Sequence, residues 1–286
     1  MHPTPGTASD LAPSSVVVGV DDPETARAAT VFAAREARAR DLPLCLVHVV
    51  PWPNPGAAAT RYADRRWVDG LRDAAGALLD EAAAAVTHLL PPGRTSTRVE
   101  FGDPVAELAR AASGAAVLVV GARGVGGLLG LVIGSTATAV AACAPCPVVV
   151  LPVAPVVADT ERRSVVVGVG GCGRDDDVLA FAFAEAALRG ADLVVVHAGQ
   201  DEPTDPGAGG VQPEAAGPTA TGVAVRRVTV RGRPAAVLVD AARGAELVVV
   251  GRSHRHAVGR LASPTHGLLH RAGCPVAVVP GATSSP

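Results

Sequence analysis

Glycine and hydroxyl residues cluster in one stretch of the chain, at a spacing suited to holding an anion. The stretch runs Gly121-Ala-Arg-Gly124, then nine residues, then Gly134-Ser135-Thr136. An apolar run typical of a strand, 116–120, precedes it, and an alanine-rich segment without glycine or proline, 136–143, follows it. Glycines let backbone N–H groups approach an anion without a Cβ in the way, and a helix start adds further N–H donors. The pattern predicts either a phosphate cradle or an ordinary strand–loop–helix connection in which Ser135 or Thr136 caps the helix.

The composition is typical of a globular protein and excludes several kinds of chemistry. The 286 residues are 49% hydrophobic and 18% charged, with a formal net charge of −2. All 25 basic residues are arginine, which excludes a Walker P-loop lysine and a Schiff-base lysine. Aromatic residues make up only 2% and the basic residues are scattered, so we expect no nucleic-acid partner. Residues 1–14 do not resemble a secretion signal and no apolar run is long enough to cross a bilayer, so we expect no membrane contact and a cytoplasmic location.

Cysteine and histidine residues do not form a pattern that predicts a disulfide framework or a metal centre. The five cysteines are an odd number, and the spacing Cys143-x-x-Cys146 falls at a helix end before a strand, which favours a structural role over a redox role. His48 and His197 lie inside apolar runs and are interpreted as core or strand-edge residues. The remaining candidates lack an accompanying carboxylate or cysteine arrangement and are interpreted as scattered surface residues: His254, His256, His266 and His270.

Solid apolar runs alternate with helix-like segments along the chain, which predicts an α/β fold with parallel strands covered on both faces. The order is strand 15–21, helix 23–40, strand 44–50, helix 64–89, strand 95–101, helix 104–112, strand 116–121, the glycine stretch with its helix, and strand 147–153.

The same pattern then begins again, so the chain is interpreted as one domain duplicated. Ser164-Val-Val-Val-Gly-Val-Gly170 echoes Ser15-Val-Val-Val-Gly-Val-Asp21, and Cys274-Pro-Val-Ala-Val echoes Cys146-Pro-Val-Val-Val. The second copy has a Gly/Pro/Asp/Thr-rich stretch, 199–222, in place of the long second helix, and this stretch is predicted to be a flexible loop. The predicted organisation is a disordered tail 1–14, a first domain 15–153, a linker 154–163 and a degenerate second domain 164–281.

These elements resemble the universal stress protein family. The resemblance rests on Gly121-x2-Gly124-x9-Gly134-Ser135, on a VVVGVD first strand, an LVHV second strand, GDP before the third helix and CPVVVLP at the end, and it covers nearly the whole chain as a tandem pair. It implies two open five-stranded parallel sheets of order 3-2-1-4-5 with helices on both faces; the composition of 199–222 predicts that the second copy lacks one helix. It also implies ATP at the carboxyl ends of the strands, where the strand order reverses, and leaves open whether Mg²⁺ accompanies it.

Individual nucleotide contacts in the first copy are assigned with the help of this resemblance. Asp21 is expected to accept hydrogen bonds from ribose hydroxyls; the alternative is a helix N-cap, a role that Asp22 is also suited to. The backbone of Val49 is expected to contact the adenine edge, and Arg123 either reaches the phosphates or stays solvated. The full predicted set is Gly19, Asp21, Val49, Gly121, Arg123, Gly124, Gly134, Ser135 and Thr136. No catalytic and no metal-ligating residue is predicted.

The second copy departs from this signature, and we expect it to bind nucleotide weakly or not at all. Gly170 replaces the acid, His254 stands for the second glycine, and Pro264-Thr265 stands for the Gly-Ser pair. A Cβ at His254 disfavours a positive φ, and Pro264 lacks an N–H.

The resulting functional hypothesis is an ATP-binding regulatory protein that is not an enzyme, or at most hydrolyses ATP incidentally. No base, nucleophile or metal-carboxylate set accompanies the glycine stretch. The alternatives are a nucleotide-independent protein-interaction module and a slow ATP-hydrolysing enzyme. The expected partners are ATP and an unidentified regulatory protein, with the two copies forming an internal pseudo-dimer through their fifth strands and two chains forming a possible homodimer.

Overall fold

A computed structural model describes residues 15–51, 65–122, 133–152, 163–170, 175–199, 212–216, 222–252 and 263–281. The chain divides into two compact units, each considered separately below. Of the described residues, the first unit contains 15–122 and 143–146, and the second contains the others. The predicted domain bounds 15–153 and 164–281 describe the two sequence repeats, which differ from these compact units, and they stay a prediction.

The first unit contains four parallel strands covered by three helices. The strands lie in the order β3-β2-β1-β4. Their bounds are β1 Val16–Gly19, β2 Leu44–Pro51, β3 Thr95–Gly102 and β4 Val117–Gly121, and the helices are α1 Pro23–Ala39, α2 Arg65–Ala84 and α3 Pro104–Ala111. The first three residues of β1 and the first four of β4 are all buried, so both faces of the central strands are covered. This is the arrangement that the continuous apolar runs predict.

The second unit contains the second copy of the strand order, the last strand of the first copy and its last helix except for the final residue, Cys143. These are α4 Ser135–Cys143, β5 Val148–Leu151, β6 Ser164–Val169, α5 Asp176–Arg189, β7 Asp192–Gly199, β8 Gln212–Ala216, β9 Val225–Arg231, α6 Pro234–Ala241, β10 Leu247–Gly251, α7 Ser263–Arg271 and β11 Val276–Val279. The strands lie in the order β5-β11-β10-β6-β7-β9-β8. The five strands of the second copy therefore follow the predicted order 3-2-1-4-5. The fifth strands of the two copies, β5 and β11, pair antiparallel with Val149 opposite Ala277.

Two predicted elements differ from the structure. Helix α2 ends at Ala84 rather than at 89, and a 3₁₀ turn, Thr87–Leu89, follows it. Bonds of the tighter i to i+3 type, from the Val86 N–H to the Ala83 carbonyl and from the Leu89 N–H to the Val86 carbonyl, end the helix before the prolines do. The stretch 199–222 contains β8, which pairs antiparallel with β9, so the second copy has a sixth strand where a flexible loop was predicted. An edge strand such as β9 offers unpaired backbone groups that a short segment of either polarity is able to satisfy.

Each copy contains a buried ion pair at its first helix, 149 residues apart in the sequence. In the first copy, Arg40, the residue that follows α1, donates to the Glu36 carboxylate. In α5, Arg189 donates to the Glu185 carboxylate. The Glu185 residue is only 1% exposed, and Arg189 also donates to the Glu185 carbonyl oxygen at 3.2 Å. Side chains at i and i+4 lie on the same face of a helix, so each pair joins residues that are close in the sequence. The pairs are buried because this face of the helix packs against the core.

The four described cysteines are thiols, and two of them have raised pKa values. Cys45, Cys146 and Cys274 are buried, whereas Cys143 is exposed. Burial raises the pKa of the Cys45 thiol, and it raises the pKa of Cys274 to about 12. Desolvation disfavours the thiolate, so these thiols stay protonated in the folded protein at a pH where they ionise in the unfolded chain.

This difference predicts a loss of stability in alkali. The unfolded Cys274 thiol ionises around its reference pKa of 9.0 while the folded thiol does not, so its contribution is full below pH ~9 and is lost as the pH rises above that value. The loss is on the order of 1.4 kcal/mol per pH unit and per thiol. The measurement is urea unfolding at several pH values from ~8 to ~11, in the wild type and in Cys274→Ala. The chain contains no lysine and only one tyrosine, so few other groups titrate in this range. A variant that loses stability as steeply as the wild type would contradict the prediction.

No helix among the described residues combines the length and apolar character needed to span a bilayer.

Candidate functional site

In the first unit, the strand order reverses at β1, and the predicted ribose carboxylate lies at the carboxyl end of this strand. Strand β1 lies between β2 and β4, and the carboxyl edge beside such a reversal is where open α/β sheets bind ligands. Asp21 follows β1 and is exposed. The carbonyl of Asp22 accepts the N–H of Ala26 at 2.8 Å, which places Asp22, not Asp21, at the N-cap position of α1. Asp21 therefore does not cap α1, and it lies in the short connection between the end of β1 and the N-cap residue Asp22.

The backbone of Val49 faces the same region. The Val20 N–H donates to the Val47 carbonyl at 2.9 Å, so the backbone groups of Val47 point toward β1. Because these groups alternate along a strand, the N–H and C=O of Val49 point to the same side, beyond the last residue of β1. The Val49 side chain is buried, as predicted, although the residue lies inside β2, which continues to Pro51.

Gly121 ends the neighbouring strand β4, at the level where β1 has just ended. The register pairs Val18 with Val119, which sets Gly121 beside the position of Val20. The half-buried glycine is followed by buried Ala122. The predicted phosphate contacts Arg123 and Gly124 lie outside the described residues.

The structure gives Gly19 a packing role. A Cβ at this position would lie 3.2 Å from the Leu108 side chain of α3 and 3.4 Å from that of Val120. The second copy repeats the arrangement, because a Cβ on Gly168 would lie 2.9 Å from the Leu238 side chain of α6. Since this close approach also occurs in the copy that lacks the acidic residue, the glycine is explained by helix–strand packing without a ligand.

The hydroxyl pair lies in the second unit, at the start of α4. The carbonyl of Gly134 accepts both the N–H and the hydroxyl of Thr138, each at 3.2 Å. Gly134 thus holds the N-cap position, Ser135 is the exposed first residue of the helix, and Thr136 is half-buried. Neither hydroxyl residue occupies the N-cap position, because the helix begins one residue earlier than a Ser135 cap requires.

In the first unit, His48 lies close to Asp21, although the sequence suggested for this histidine only a place in the core or at a strand edge. The Nδ1 atom of His48 lies 2.7 Å from the Val20 carbonyl oxygen, immediately before Asp21. A carbonyl only accepts, so Nδ1 carries the proton, and the imidazole links β2 to the end of β1. His197 repeats the contact with the Val169 carbonyl at 3.3 Å. The signal in the sequence was the strand motif ending in histidine, which occurs at the same place in both copies.

In the second copy, side chains of the second unit occupy the equivalent place. Gly170 stands where the first copy has Asp21, and its N–H donates to the Asp175 carboxylate at 3.1 Å. A Cβ on Gly251, the equivalent of Gly121, would lie 3.1 Å from the Val178 side chain. The hydroxyl of Thr265 is buried and donates to the Gly251 carbonyl at 3.4 Å. The side chains of Asp175, Val178 and Thr265 thus lie against the backbone of Gly170 and Gly251, the positions equivalent to Asp21 and Gly121.

The first residues of α4 and α7 change one residue correspondence between the two copies. Helices α4 and α7 have the same length of nine residues and begin at Ser135 and Ser263. Counted from the helix start, Ser263 corresponds to Ser135 and Pro264 to Thr136, so the Gly-Ser pair is not replaced by Pro264-Thr265. The nine-residue spacing did not reveal this, because the sequence separation from Gly251 to Ser263 is two residues less than that from Gly121 to Ser135.

Comparison with known proteins gives one consistent family. The sequence profile described as "Universal stress protein family" matches residues 14–152 and 161–280. A universal stress protein of Mycobacterium bovis is 33% identical over 290 aligned residues, which cover 92% of this chain and 96% of that protein. A universal stress protein of Mycobacterium tuberculosis strain H37Rv is 31% identical over 273 residues, covering 93% of this chain and 96% of that protein.

Solved structures agree with this comparison at the level of the fold. The crystal structure of a universal stress protein from Archaeoglobus fulgidus DSM 4304 superposes with a TM-score of 0.71 at 17% identity, covering 95% of this chain and 97% of that chain. A putative universal stress protein from Pseudomonas aeruginosa superposes with a TM-score of 0.59 at 15% identity, covering 94% of each chain.

Proposed function

The chain belongs to the universal stress protein family, and on this premise we propose that its first copy binds ATP and acts as a nucleotide-dependent regulatory protein. The observation that carries the proposal is the convergence of Asp21, the backbone of Val49 and Gly121 at the carboxyl edge of the first unit's sheet. This edge lies at the reversal of strand order, where α/β sheets bind nucleotides.

The residues present fit an adenosine. The exposed carboxylate of Asp21 is suited to accept hydrogen bonds from two ribose hydroxyls, as carboxylates do in dinucleotide-binding sheets. The N–H and C=O of Val49 point beyond the end of β1, where they are able to contact the edge of an adenine. His48, through its hydrogen bond to the Val20 carbonyl, holds the chain immediately before Asp21 in place.

We assign the phosphates to the glycine stretch that follows β4. Gly121, Gly124 and Gly134 supply backbone N–H groups, Ser135 and Thr136 supply hydroxyls, and Arg123 supplies a positive charge. When bound, ATP supplies a triphosphate whose negative charge these donors neutralise.

The second copy is proposed to bind nucleotide weakly or not at all. It has Gly170 in place of the acid, and Val178 lies close to Gly251. The chain therefore binds one ATP. Binding is proposed to stabilise one conformation or assembly that a protein partner senses, because a ligand shifts an equilibrium by its differential affinity for the two states. We propose no enzymatic role, a cytoplasmic location, and further association of chains as homodimers.

The test is isothermal titration of the full chain with ATP. We expect one ATP per chain for the wild type and no detectable binding for Gly124→Val, since the added side chain fills the space of the phosphates. Asp21→Ala is expected to weaken binding ten- to a hundredfold, because hydrogen bonds to a charged group contribute roughly 1.5–3 kcal/mol.

The matched control is Asp175→Ala, which removes a carboxylate at the equivalent end of β6 in the second copy. This variant is expected to bind ATP as the wild type does. Two ATP molecules per chain, or equal affinities for the wild type and Gly124→Val, would contradict the site. No binding by a folded wild-type chain would favour a nucleotide-independent interaction module.

A further inference from the structure

Two histidines on the exposed side of α7 bring their ring nitrogens together. His266 and His270 are four residues apart, so they lie on the same face of the helix. The two Nε2 atoms are 3.2 Å apart, and the ring centroids are 4.4 Å apart with a tilt of 45° between the planes. The rings are therefore not stacked face to face; their Nε2 atoms converge.

This separation suits two ligands of one metal ion. Imidazole nitrogens bind zinc at about 2.0–2.1 Å, so two of them lie roughly 3.0 Å apart for a right angle at the metal and roughly 3.4 Å apart for a tetrahedral angle. The observed 3.2 Å lies between these values. The alternative is a hydrogen bond between two neutral imidazoles, in which one nitrogen donates to the other.

The helix that presents the pair is anchored by its other residues, within the second unit. Leu268 and Leu269 are buried, and Thr265 is buried with its hydroxyl bonded to the Gly251 carbonyl. A Cβ on Gly267 would lie 3.2 Å from the Cβ of Ala235, which shows how closely α7 packs on α6. Only rotations of the two imidazoles are therefore needed to adjust their nitrogens to an ion, and a rigid element loses little freedom on binding.

The pair is a property of the second copy. Counted from the helix starts, His266 and His270 correspond to Thr138 and Ala142 of α4. Neither of these provides an imidazole, and the Thr138 hydroxyl donates to the Gly134 carbonyl. The sequence alone suggested scattered surface histidines because the spacing shows only a shared face, not converging nitrogens.

We propose that His266 and His270 form a binding site for a late first-row transition-metal ion such as Zn²⁺, Ni²⁺ or Cu²⁺. The pair lies on an exposed face, where water molecules are expected to complete the coordination. Imidazole ligands select zinc, nickel and copper over Mg²⁺ and Ca²⁺, and Cu²⁺ is expected to bind most tightly. The site is independent of ATP binding.

The test is calorimetric titration of the chelator-treated full chain with Zn²⁺ and with Cu²⁺, in the absence of nucleotide. We expect His266→Ala and His270→Ala each to weaken binding at least tenfold, because the second imidazole binds intramolecularly. The double variant, which removes both imidazoles, is expected to show no detectable binding at this site. His88→Ala, which removes an exposed histidine of the first unit, is the matched control and is expected to leave the affinity unchanged. The Cu²⁺ complex is expected to show two nitrogen ligands by electron paramagnetic resonance.

The results that would overturn the metal site differ from those that would test ATP binding. Equal zinc affinities for the wild type and His266→Ala would overturn it, as would binding that is lost in His254→Ala or His256→Ala but kept in His270→Ala. Absence of zinc and copper binding by the folded wild type would leave only the hydrogen bond between the imidazoles. None of these results changes the expected binding of ATP.

Discussion

Replacing Arg189 with alanine is expected to lower the free energy of unfolding by about 3–5 kcal/mol. Arg189 donates to the carboxylate and to the carbonyl of Glu185, a residue that is only 1% exposed. Removing the guanidinium takes away a cation that faces this carboxylate in the core, so the desolvation of the carboxylate is offset less. The loss is therefore expected to exceed the value of an ion pair in water by several-fold.

Urea unfolding followed by circular dichroism measures this effect. The control is Arg243→Ala, which removes an ion pair at 3.0 Å whose two side chains are 81% and 68% exposed. Its expected loss is about 0–1 kcal/mol, because water screens and competes for such pairs. The double variant Glu185→Leu/Arg189→Met is expected to recover most of the stability, since it removes both charges and keeps the volume. Similar losses for Arg189→Ala and Arg243→Ala would show that the pair is not a buried one in solution.

Leu238→Ala is expected to lower the free energy of unfolding by about 2–5 kcal/mol. Leu238 is buried, and its side chain lies over Gly168, where an added Cβ would come within 2.9 Å. Removing the leucine leaves a cavity between α6 and β6 that the rigid sheet fills only in part. The measurement is again equilibrium unfolding in urea.

A double-mutant cycle separates the contact between Gly168 and Leu238 from the general cost of removing a buried side chain. Gly168→Ala alone is expected to destabilise by about 1–3 kcal/mol, since the buried leucine must move. Gly168→Ala/Leu238→Ala is expected to be less destabilised than the sum of the single changes, because the new methyl group occupies part of the cavity. Gly273→Ala is the control, since no atom lies within 4 Å of the added Cβ. Strict additivity in the cycle would contradict the close packing of Gly168 on Leu238.

The fold was predictable where the apolar pattern leaves one physical solution. The valine-rich runs of β1 and β4 are long enough only for strands and apolar enough only for burial on both faces, which requires a parallel sheet between helices. The repeat of these runs predicted the duplication. A valine-rich fifth strand is a liability at an exposed edge, and the resemblance to the family implied the pairing of β5 with β11 that the structure shows.

Prediction was weaker where several local structures have similar free energies. The end of α2 is decided by a few hydrogen bonds near Ala83, and these are not encoded by the prolines that follow. Strand β8 forms because β9 provides an edge to pair with, and its own composition resembles a loop. Such elements depend on their neighbours, so a pattern along the chain does not identify them.

Asp21 and Gly121 could be selected for the candidate site because strand ends in a parallel sheet share one edge and the sequence marks those two ends, whereas Val49 was selected from the resemblance to the family. By itself, then, the sequence determined the fold class and the duplication, because these follow from the types and periodicity of the side chains, and its motifs resembled one family, which suggested the residues of the candidate site. Only the tertiary structure decided that Asp22, and not Asp21, occupies the N-cap position of α1, that Gly19 packs under Leu108, and that the nitrogens of His266 and His270 converge. These facts are distances between atoms, and distances are set by the packing of whole elements against one another.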